Sequence, residues 1–154
     1  MTYKEFYSES ISNPGNFWKK QAQNIKWFSE PTKILSDNEN GYPEWFADGE
    51  LNACYLCLDK HIEDGFGDEI ALIYDSPVTQ QIKKFTYNEV KSEVAKLAGG
   101  LKSLGVEKGD TVIIYMPMIS KAVFAMLACA RIGAIHSVVF GGFAPTELAT
   151  RIDD

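Results

Sequence analysis

The chain has 154 residues, of which 45% are hydrophobic and 23% are charged. This composition is typical of a globular domain with an apolar core, and it excludes disordered and collagen-like proteins. With 21 acidic against 15 basic residues the net charge is -6, and no cluster of Lys and Arg lies near an aromatic platform. We therefore expect neither nucleic acid nor an anionic membrane as a partner.

The N-terminal stretch, MTYKEFYSES, carries charges where a secretory signal would need a basic start and then an apolar run. The longest apolar stretch, AVFAMLACA at 122–130, is about half of the roughly 20 residues that a membrane-spanning helix needs. The three cysteines are an odd number in a chain without an export signal, which predicts no disulfide framework. We expect a cytoplasmic protein with no membrane segment.

The first part of the chain has two helix starts and many aromatic residues. Thr2 and Glu5 fit a capping box, and Asn13-Pro14 fits an N-cap followed by proline at the first helical position. The aromatic residues are too numerous for a solvated tail, so this segment should pack onto other residues. They are Phe6, Tyr7, Phe17, Trp18, Trp27 and Phe28. Residues 29–50 are rich in turn formers and predict an irregular wrapping segment.

A helix and two strands follow. The apolar spacing over 53–64 predicts a helix, and the runs IALIY at 70–74 and IKKFTY at 82–87 predict strands joined by a turn at DSPVTQ.

The strongest helix pattern begins with a second capping box, formed by Thr86 and Glu89. Apolar residues then recur at steps of three and four until Gly105 ends the helix. The adjacent Gly99 and Gly100 cost roughly 1 kcal/mol each relative to alanine. We therefore expect close packing of a neighbouring element against this glycine pair.

The last third of the chain predicts a βαβ unit. TVIIYM at 111–116 and IHSVVF at 135–140 have apolar residues on both faces, and a helix of about 118–132 lies between them. Strands of this kind form a parallel sheet covered by helices, so the predicted fold class is α/β. Pro145 begins a further helix.

Phe140, Gly141 and Gly142 are the best site candidates. They follow a strand and precede a helix, and ligands of parallel sheets bind outside the carboxyl ends of the strands. The alternative is a tight strand-to-helix turn in which glycine serves a steric purpose alone. Both interpretations are open at this stage, and the steric turn is the commoner reason for a glycine pair.

The other motifs in the sequence do not indicate a catalytic, nucleotide-binding or metal-binding function. The first strand-to-helix turn is MPMIS, without the glycines of a dinucleotide site, and no Walker A loop is present. Cys54 and Cys57 form a lone C-x-x-C, for which burial is favoured over a redox or zinc role. His61 and His136 have no partner at ligand spacing and are expected to be packed or hydrogen-bonded. We predict no catalytic group and no metal site in this chain.

A family resemblance extends over almost the whole chain. It is carried by the stretch KGDTVIIYMPMISKAVFAMLACARIGAIHSVVFGGFAPTELATRIDD, and further back by FTYNEVKSEVAKLAGGLKSLGV, LNACYLCLDKHIEDGFGDEIALIYDSPVT and FWKKQAQNIKW. These stretches resemble the early part of the short-chain acyl-CoA synthetases of the adenylate-forming superfamily. Within this family, the chain is most similar to propionyl-CoA synthetases and close to acetyl-CoA synthetases.

The resemblance implies the domain organisation and the reaction. Residues 1–64 would be the N-terminal extension and residues 65–154 the start of the AMP-binding domain. The whole enzyme would join propionate to ATP with release of pyrophosphate, and CoA would then give propionyl-CoA and AMP, with Mg²⁺ as cofactor. By the same resemblance Phe140, Gly141 and Gly142 would line the site of the CoA nucleotide, with the glycines allowing the backbone to approach the adenine.

We expect this chain by itself to be inactive and to bind no cofactor tightly, because the family's phosphate loop, acyl pocket and catalytic lysine lie further on. Its partner would be the remainder of the synthetase. The alternatives are an acetate-CoA ligase of the same family and a non-catalytic fragment that binds CoA or docks on another chain.

Overall fold

The computed structural model describes residues 2–142 and 144–153. The chain forms two compact units, Met1–Asn52 and Ala53–Asp154, which we call the N-terminal unit and the C-terminal unit. Cys54 and Leu58 pack into the core of the C-terminal unit, while the division of the family's domains at 64/65 stays a prediction.

Two helices begin the N-terminal unit: α1 over Tyr3–Ser12 and α2 over Pro14–Ala22. The predicted capping box is present, since Thr2 accepts a hydrogen bond from the backbone N–H of Glu5 while the Glu5 carboxylate accepts one from that of Thr2. The side chain of Asn13 caps α2. Both predicted helix starts are confirmed.

The segment predicted to be irregular contains a small hairpin of β1 (Leu35–Asp37) and β2 (Pro43–Trp45), which pair antiparallel. The side-chain oxygen of Asn38 accepts hydrogen bonds of 3.0 Å from the backbone N–H groups of Asn40 and Tyr42, which stabilises the connecting turn. Strands of three residues are too short to give a periodic pattern, so the sequence analysis missed them.

Aromatic side chains of the N-terminal unit contact one another. Phe17 is 2% exposed and packs edge-on against Phe6 and Trp18, with ring centroids 4.6 Å and 5.1 Å away. Trp18 also contacts Trp45 of β2 at 5.9 Å. The expectation that these residues pack rather than form a solvated tail is confirmed.

The C-terminal unit starts with the predicted helix, which has an unusual winding. The segment 53–66 is helical except at Gly65, whose φ is 94°, and contains two π-helical stretches, Tyr55–Asp59 and Ile62–Phe66. Strands β3 (Ile70–Ser76) and β4 (Gln81–Thr86) then pair antiparallel, as predicted.

Helix α3 covers Tyr87–Ser103 and begins at the predicted capping box. The chain leaves the helix through Gly105, whose φ of 91° is the left-handed conformation that favours glycine. A Cβ atom built at Gly99 or Gly100 would meet no atom within 4 Å. Within the described residues, the predicted close packing against this glycine pair is therefore wrong.

The predicted βαβ unit is confirmed. Strands β5 (Thr111–Met116) and β6 (Ile135–Phe140) pair in parallel with helix α4 (Ser120–Ile132) between them, and α5 covers Pro145–Asp153. Helix α4 starts at Ser120 rather than 118, because Ile119 still has an extended backbone. In the described part of the chain, no helix is both long enough and apolar enough to cross a membrane.

The core of the C-terminal unit has two clusters. The first cluster joins the 53–66 segment, α3 and α4. The second lies between α4, β5 and Ala134, which directly precedes β6. The buried members are Cys54, Leu58, Val90, Val94, Ala98, Phe124 and Ala128 in the first cluster, and Ile114, Cys129 and Ala134 in the second. Helix α4 supplies residues to both clusters and is thus the common element of the unit.

Candidate functional site

The candidate site lies at the carboxyl edge of the parallel strand pair. Met116 and Phe140 are register partners at the ends of β5 and β6, so the turns that follow them leave the sheet at the same edge. This is the edge at which parallel sheets bind their ligands.

A cavity of about 480 Å³ lies at this edge. All three predicted site residues, Phe140, Gly141 and Gly142, line it. The other lining residues come from the turn after β5 and from the β3–β4 hairpin: Pro117, Met118, Ile119, Tyr74, Ser76, Val78 and Thr79. None of these described lining residues carries a charge, so the cavity suits an uncharged, largely apolar group better than a phosphate.

The packing of the turn after β6 explains why its first residue is a glycine. A Cβ atom on Gly141 would lie 2.9 Å from the backbone nitrogen of Pro117 and 3.0 Å from the backbone carbon of Met116. No side chain fits at this separation, so Gly141 allows the turn to pack on the end of β5. For this position the steric interpretation of the glycine pair accounts for the residue without any ligand.

The second glycine faces a side chain rather than the backbone. A Cβ atom on Gly142 would lie 3.2 Å from Cε1 of Phe140. Glycine at 142 therefore avoids a close contact with the Phe140 ring. Phe140 is 55% exposed and presents an aromatic surface to the cavity.

The hairpin side of the cavity was not predicted as part of the site. Ser76 is 8% exposed, and its hydroxyl accepts a hydrogen bond of 3.2 Å from the backbone N–H of Thr79, which stabilises the turn. Pro117 and Met118 could have been found from the sequence, because they follow a strand parallel to β6. The hairpin could not, because its approach to this edge depends on tertiary packing.

The C-x-x-C motif is split between core and surface. Cys54 is buried, and burial raises the pKa of its thiol. Cys57 is exposed, so the predicted burial is confirmed for the first cysteine and wrong for the second. Both lie at the π-helical segment, whose wider turn changes the face on which residue i+3 emerges. No group of three His, Cys, Asp or Glu side chains among the described residues could hold a metal ion.

The two histidines also differ. The ring of His61 packs on Tyr87 with centroids 4.9 Å apart, as expected for a packed residue. His136 is exposed on β6, so of the two predicted states, packed or hydrogen-bonded, the packed one is wrong for this residue.

The sequence did not reveal a partly buried ion cluster. Asp59 is 9% exposed and accepts hydrogen bonds from Lys91 at 2.9 Å and from Arg131 at 2.5 Å. Burial would raise the pKa of Asp59, but the hydrogen bonds from Lys91 and Arg131 outweigh it and hold the pKa below its ordinary value. Because the partners are 32 and 72 residues away in sequence, no local pattern reveals the cluster. It ties the 53–66 segment to α3 and α4.

The fold is that of an α/β protein with a cavity at the carboxyl edge of a parallel strand pair. Comparison of the sequence with protein families makes the assignment specific. The chain belongs to the AMP-binding enzyme family, whose model matches residues 59–154. The model of the acetyl-coenzyme A synthetase N-terminus matches residues 3–57.

Individual relatives agree with this family. The chain is 56% identical over 151 residues to acyl-CoA synthetase short-chain family member 3, mitochondrial, of Bos taurus, with 98% of this chain and 22% of the relative covered. It is 49% identical to acetyl-coenzyme A synthetase of Shewanella frigidimarina, over 99% of this chain and 24% of the relative.

A solved structure shows the same fold. Acetoacetyl-CoA synthetase from Streptomyces lividans matches with a TM-score of 0.87 and 28% identity, over 99% of this chain and 24% of that structure. The chain thus spans only about a quarter of the length of the proteins that it matches.

Proposed function

We propose that this chain is the N-terminal part of an AMP-forming short-chain acyl-CoA synthetase that acts on propionate. The carboxylate of propionate attacks the α-phosphate of ATP, which forms the acyl-adenylate and releases pyrophosphate. The thiol of CoA then attacks the acyl carbon, and propionyl-CoA and AMP leave. The similarity to acyl-CoA and acetyl-CoA synthetases supports the reaction class.

Within this enzyme, we assign Phe140, Gly141 and Gly142 to the wall of the CoA site that receives the adenine. The observation that carries the assignment is the uncharged cavity of about 480 Å³ with the half-exposed Phe140 ring on its surface. Adenine stacks on aromatic rings, and such stacking contributes about 1 to 3 kcal/mol. The CoA phosphates would need cations from residues outside this cavity.

The chain alone is expected to have no turnover. Pyrophosphate displacement needs charged groups that hold ATP and stabilise the transferring adenylyl group, and the lining of this cavity supplies none. ATP, CoA and Mg²⁺ would act in the full-length enzyme, where Mg²⁺ neutralises phosphate charge. A pure 154-residue sample should release no pyrophosphate from ATP in the presence of propionate and CoA; measurable dependence of release on propionate would contradict this.

The adenine assignment is tested in a synthetase-length protein that contains this chain. Phe140→Ala should raise the KM for CoA by on the order of 10-fold through lost stacking. Propionate-dependent exchange of pyrophosphate into ATP, which needs no CoA, should stay unchanged. The matched control is Phe66→Ala, because Phe66 is 51% exposed, close to the 55% of Phe140, but lies outside the cavity lining.

Each outcome separates the parts of the proposal. An unchanged KM for CoA in Phe140→Ala removes the residue from the CoA site. Loss of pyrophosphate exchange in the same variant would place it at the adenylate instead. If acetate gives a higher kcat/KM than propionate, the alternative assignment as an acetate-CoA ligase replaces the propionate one.

A further inference from the structure

The β3–β4 hairpin has one face that begins in the core and ends at the cavity of the candidate site. At the start of this face, Leu72 and its register partner Phe85 pack against the main core cluster. Further along β3, Tyr74 and Ser76 line the cavity together with Phe140. Because side chains alternate between the two faces of a strand, Leu72, Tyr74 and Ser76 share one face. The hairpin is thus anchored in the core at one end and forms a wall of the cavity at the other.

The register of the hairpin places a cation beside this wall. Lys83 is the partner of Tyr74 across the two strands. Residues directly opposite each other in an antiparallel pair share one face, with Cβ atoms about 4.5 to 5.5 Å apart. Lys83 is exposed, and in the described part of the chain no carboxylate forms an ion pair with it. The uncharged cavity therefore has a lysine available at its rim.

The neighbouring lysine lies on the other face of the hairpin. Lys84 is the partner of Ile73, and neither of these residues is part of the cavity lining. Exposed lysines on edge strands commonly prevent sheets from associating with each other, and this role is sufficient for Lys84. The two lysines are adjacent in sequence and differ in the face that they occupy, so Lys84 is a matched control for Lys83.

The chemistry of the ligand that we assign to the cavity requires a cation at this place. CoA carries a phosphate on the 3′ oxygen of the ribose to which its adenine is attached, so an adenine in the cavity brings this phosphate to the rim. The chain has a net charge of -6, which repels an anionic ligand unless a cation lies near the phosphate. A lysine ammonium group donates charge-assisted hydrogen bonds to phosphate oxygens.

We propose that the hairpin forms the second wall of the CoA nucleotide site and that Lys83 binds the 3′-phosphate of CoA. The inference rests on the proposed function, because it takes adenine as the group that stacks on Phe140. It adds a cation, which none of the described lining residues supplies. The hydroxyl of Ser76 accepts a hydrogen bond from the backbone N–H of Thr79, so the turn that maintains the register of Lys83 is itself stabilised.

The experiment compares Lys83→Gln with Lys84→Gln in a synthetase-length protein that contains this chain, with CoA and 3′-dephospho-CoA as probes. Lys83→Gln should raise the KM for CoA by roughly 10-fold, because the phosphate loses a charge-assisted hydrogen bond. The KM for 3′-dephospho-CoA should stay the same in this variant, since the group that Lys83 binds is absent from the probe. Lys84→Gln should change neither KM. Both lysines are exposed, so thermal unfolding of the two variants should match that of the unmodified protein.

Three results would overturn the proposal. An unchanged KM for CoA in Lys83→Gln removes this lysine from the site. Equal increases of the KM for CoA and for 3′-dephospho-CoA would mean that Lys83 acts on another part of the ligand. Equal increases in both lysine variants would reduce the effect to the general charge of the surface.

A reaction that needs no CoA keeps this inference apart from the proposed function. Propionate-dependent exchange of pyrophosphate into ATP should be the same in Lys83→Gln and in the unmodified protein. If exchange is present and Lys83→Gln leaves the KM for CoA unchanged, the inference fails and the proposed function stands. If the unmodified protein shows no propionate-dependent exchange, the propionate assignment fails, and the two CoA probes are then compared with acetate as the acyl substrate.

Discussion

The two units of the chain are stabilised in different ways. Among the described residues of the N-terminal unit only Phe17 and Ala22 are buried, and several of its aromatic rings contact one another. The C-terminal unit has two core clusters and a partly buried ion cluster that joins three helical elements. The N-terminal unit thus has one large buried ring, whereas the C-terminal unit distributes its buried apolar contacts over several elements.

The largest effect is expected for Phe17→Ala. It removes the one large buried side chain among the described residues of the N-terminal unit, and truncations of this kind cost about 3 to 5 kcal/mol. All three tryptophans, Trp18, Trp27 and Trp45, lie in this unit, so urea unfolding followed by tryptophan fluorescence reports on it alone. Tyr42→Ala is the control, because Tyr42 is 68% exposed; a comparable loss in both variants would show that Phe17 has no special role.

The next effect is expected in the C-terminal unit. Asp59→Asn leaves the partly exposed Lys91 and Arg131 without a carboxylate partner and should cost about 1 to 3 kcal/mol. The matched control lies in the same helical segment: Asp64→Asn removes an exposed ion pair with Lys60 and should cost at most about 1 kcal/mol. Hydrogen exchange at the amides of α3 measures the loss, and equal effects of the two substitutions would argue against the buried cluster as the tie between helices.

A smaller effect is expected from pH. The pKa of Asp59 is lower in the folded than in the unfolded chain, so its contribution is present above the unfolded value of about 3.9 and is lost as the pH falls through the folded pKa. Below about pH 4 the wild-type chain should therefore lose more stability than Asp59→Asn. The pKa of Asp48 is also lowered, chiefly by the hydrogen bond from Thr32.

Substitution of Asp48 allows the acid sensitivity of the two units to be compared. It belongs to the N-terminal unit and is fully exposed, so solvent screens its interactions and Asp48→Asn should change the acid sensitivity less than Asp59→Asn does. Acid titrations of the three proteins, followed by tryptophan fluorescence and by α3 hydrogen exchange, check this order. The reverse order would contradict the burial argument.

The smallest effects are expected at the two capping boxes, which share the same pattern of hydrogen bonds. The backbone N–H of the threonine donates to the glutamate at 2.8 Å in both Thr2–Glu5 and Thr86–Glu89. Thr86→Ala should cost about 1 kcal/mol because α3 packs three residues into the core. Thr2→Ala should cost about 0.5 kcal/mol or less, because α1 buries no residue and can fray locally. Equal losses by urea unfolding would mean that α1 is as firmly packed as α3.

Much of the fold was accessible from the sequence because it is encoded locally. Both capping boxes, the β3–β4 strands and the βαβ unit were predicted from spacing and from cap residues, and all are present. The predicted close packing at Gly99 and Gly100 is wrong. Helix propensity gives the free-energy cost of a glycine in a helix, but it contains no information on which neighbouring element packs there.

The candidate site also combines features that the sequence predicts with features that only the tertiary structure shows. That Phe140, Gly141 and Gly142 share one edge with the end of β5 follows from strand direction, which the sequence by itself determined through the βαβ pattern. The tertiary structure alone decided that the β3–β4 hairpin closes the cavity, that Cys57 is exposed and that Asp59 meets Arg131. Each of these features depends on residues that are distant in the chain. They are determined by how the helices and strands pack together, and the secondary-structure propensity of a single segment does not predict them.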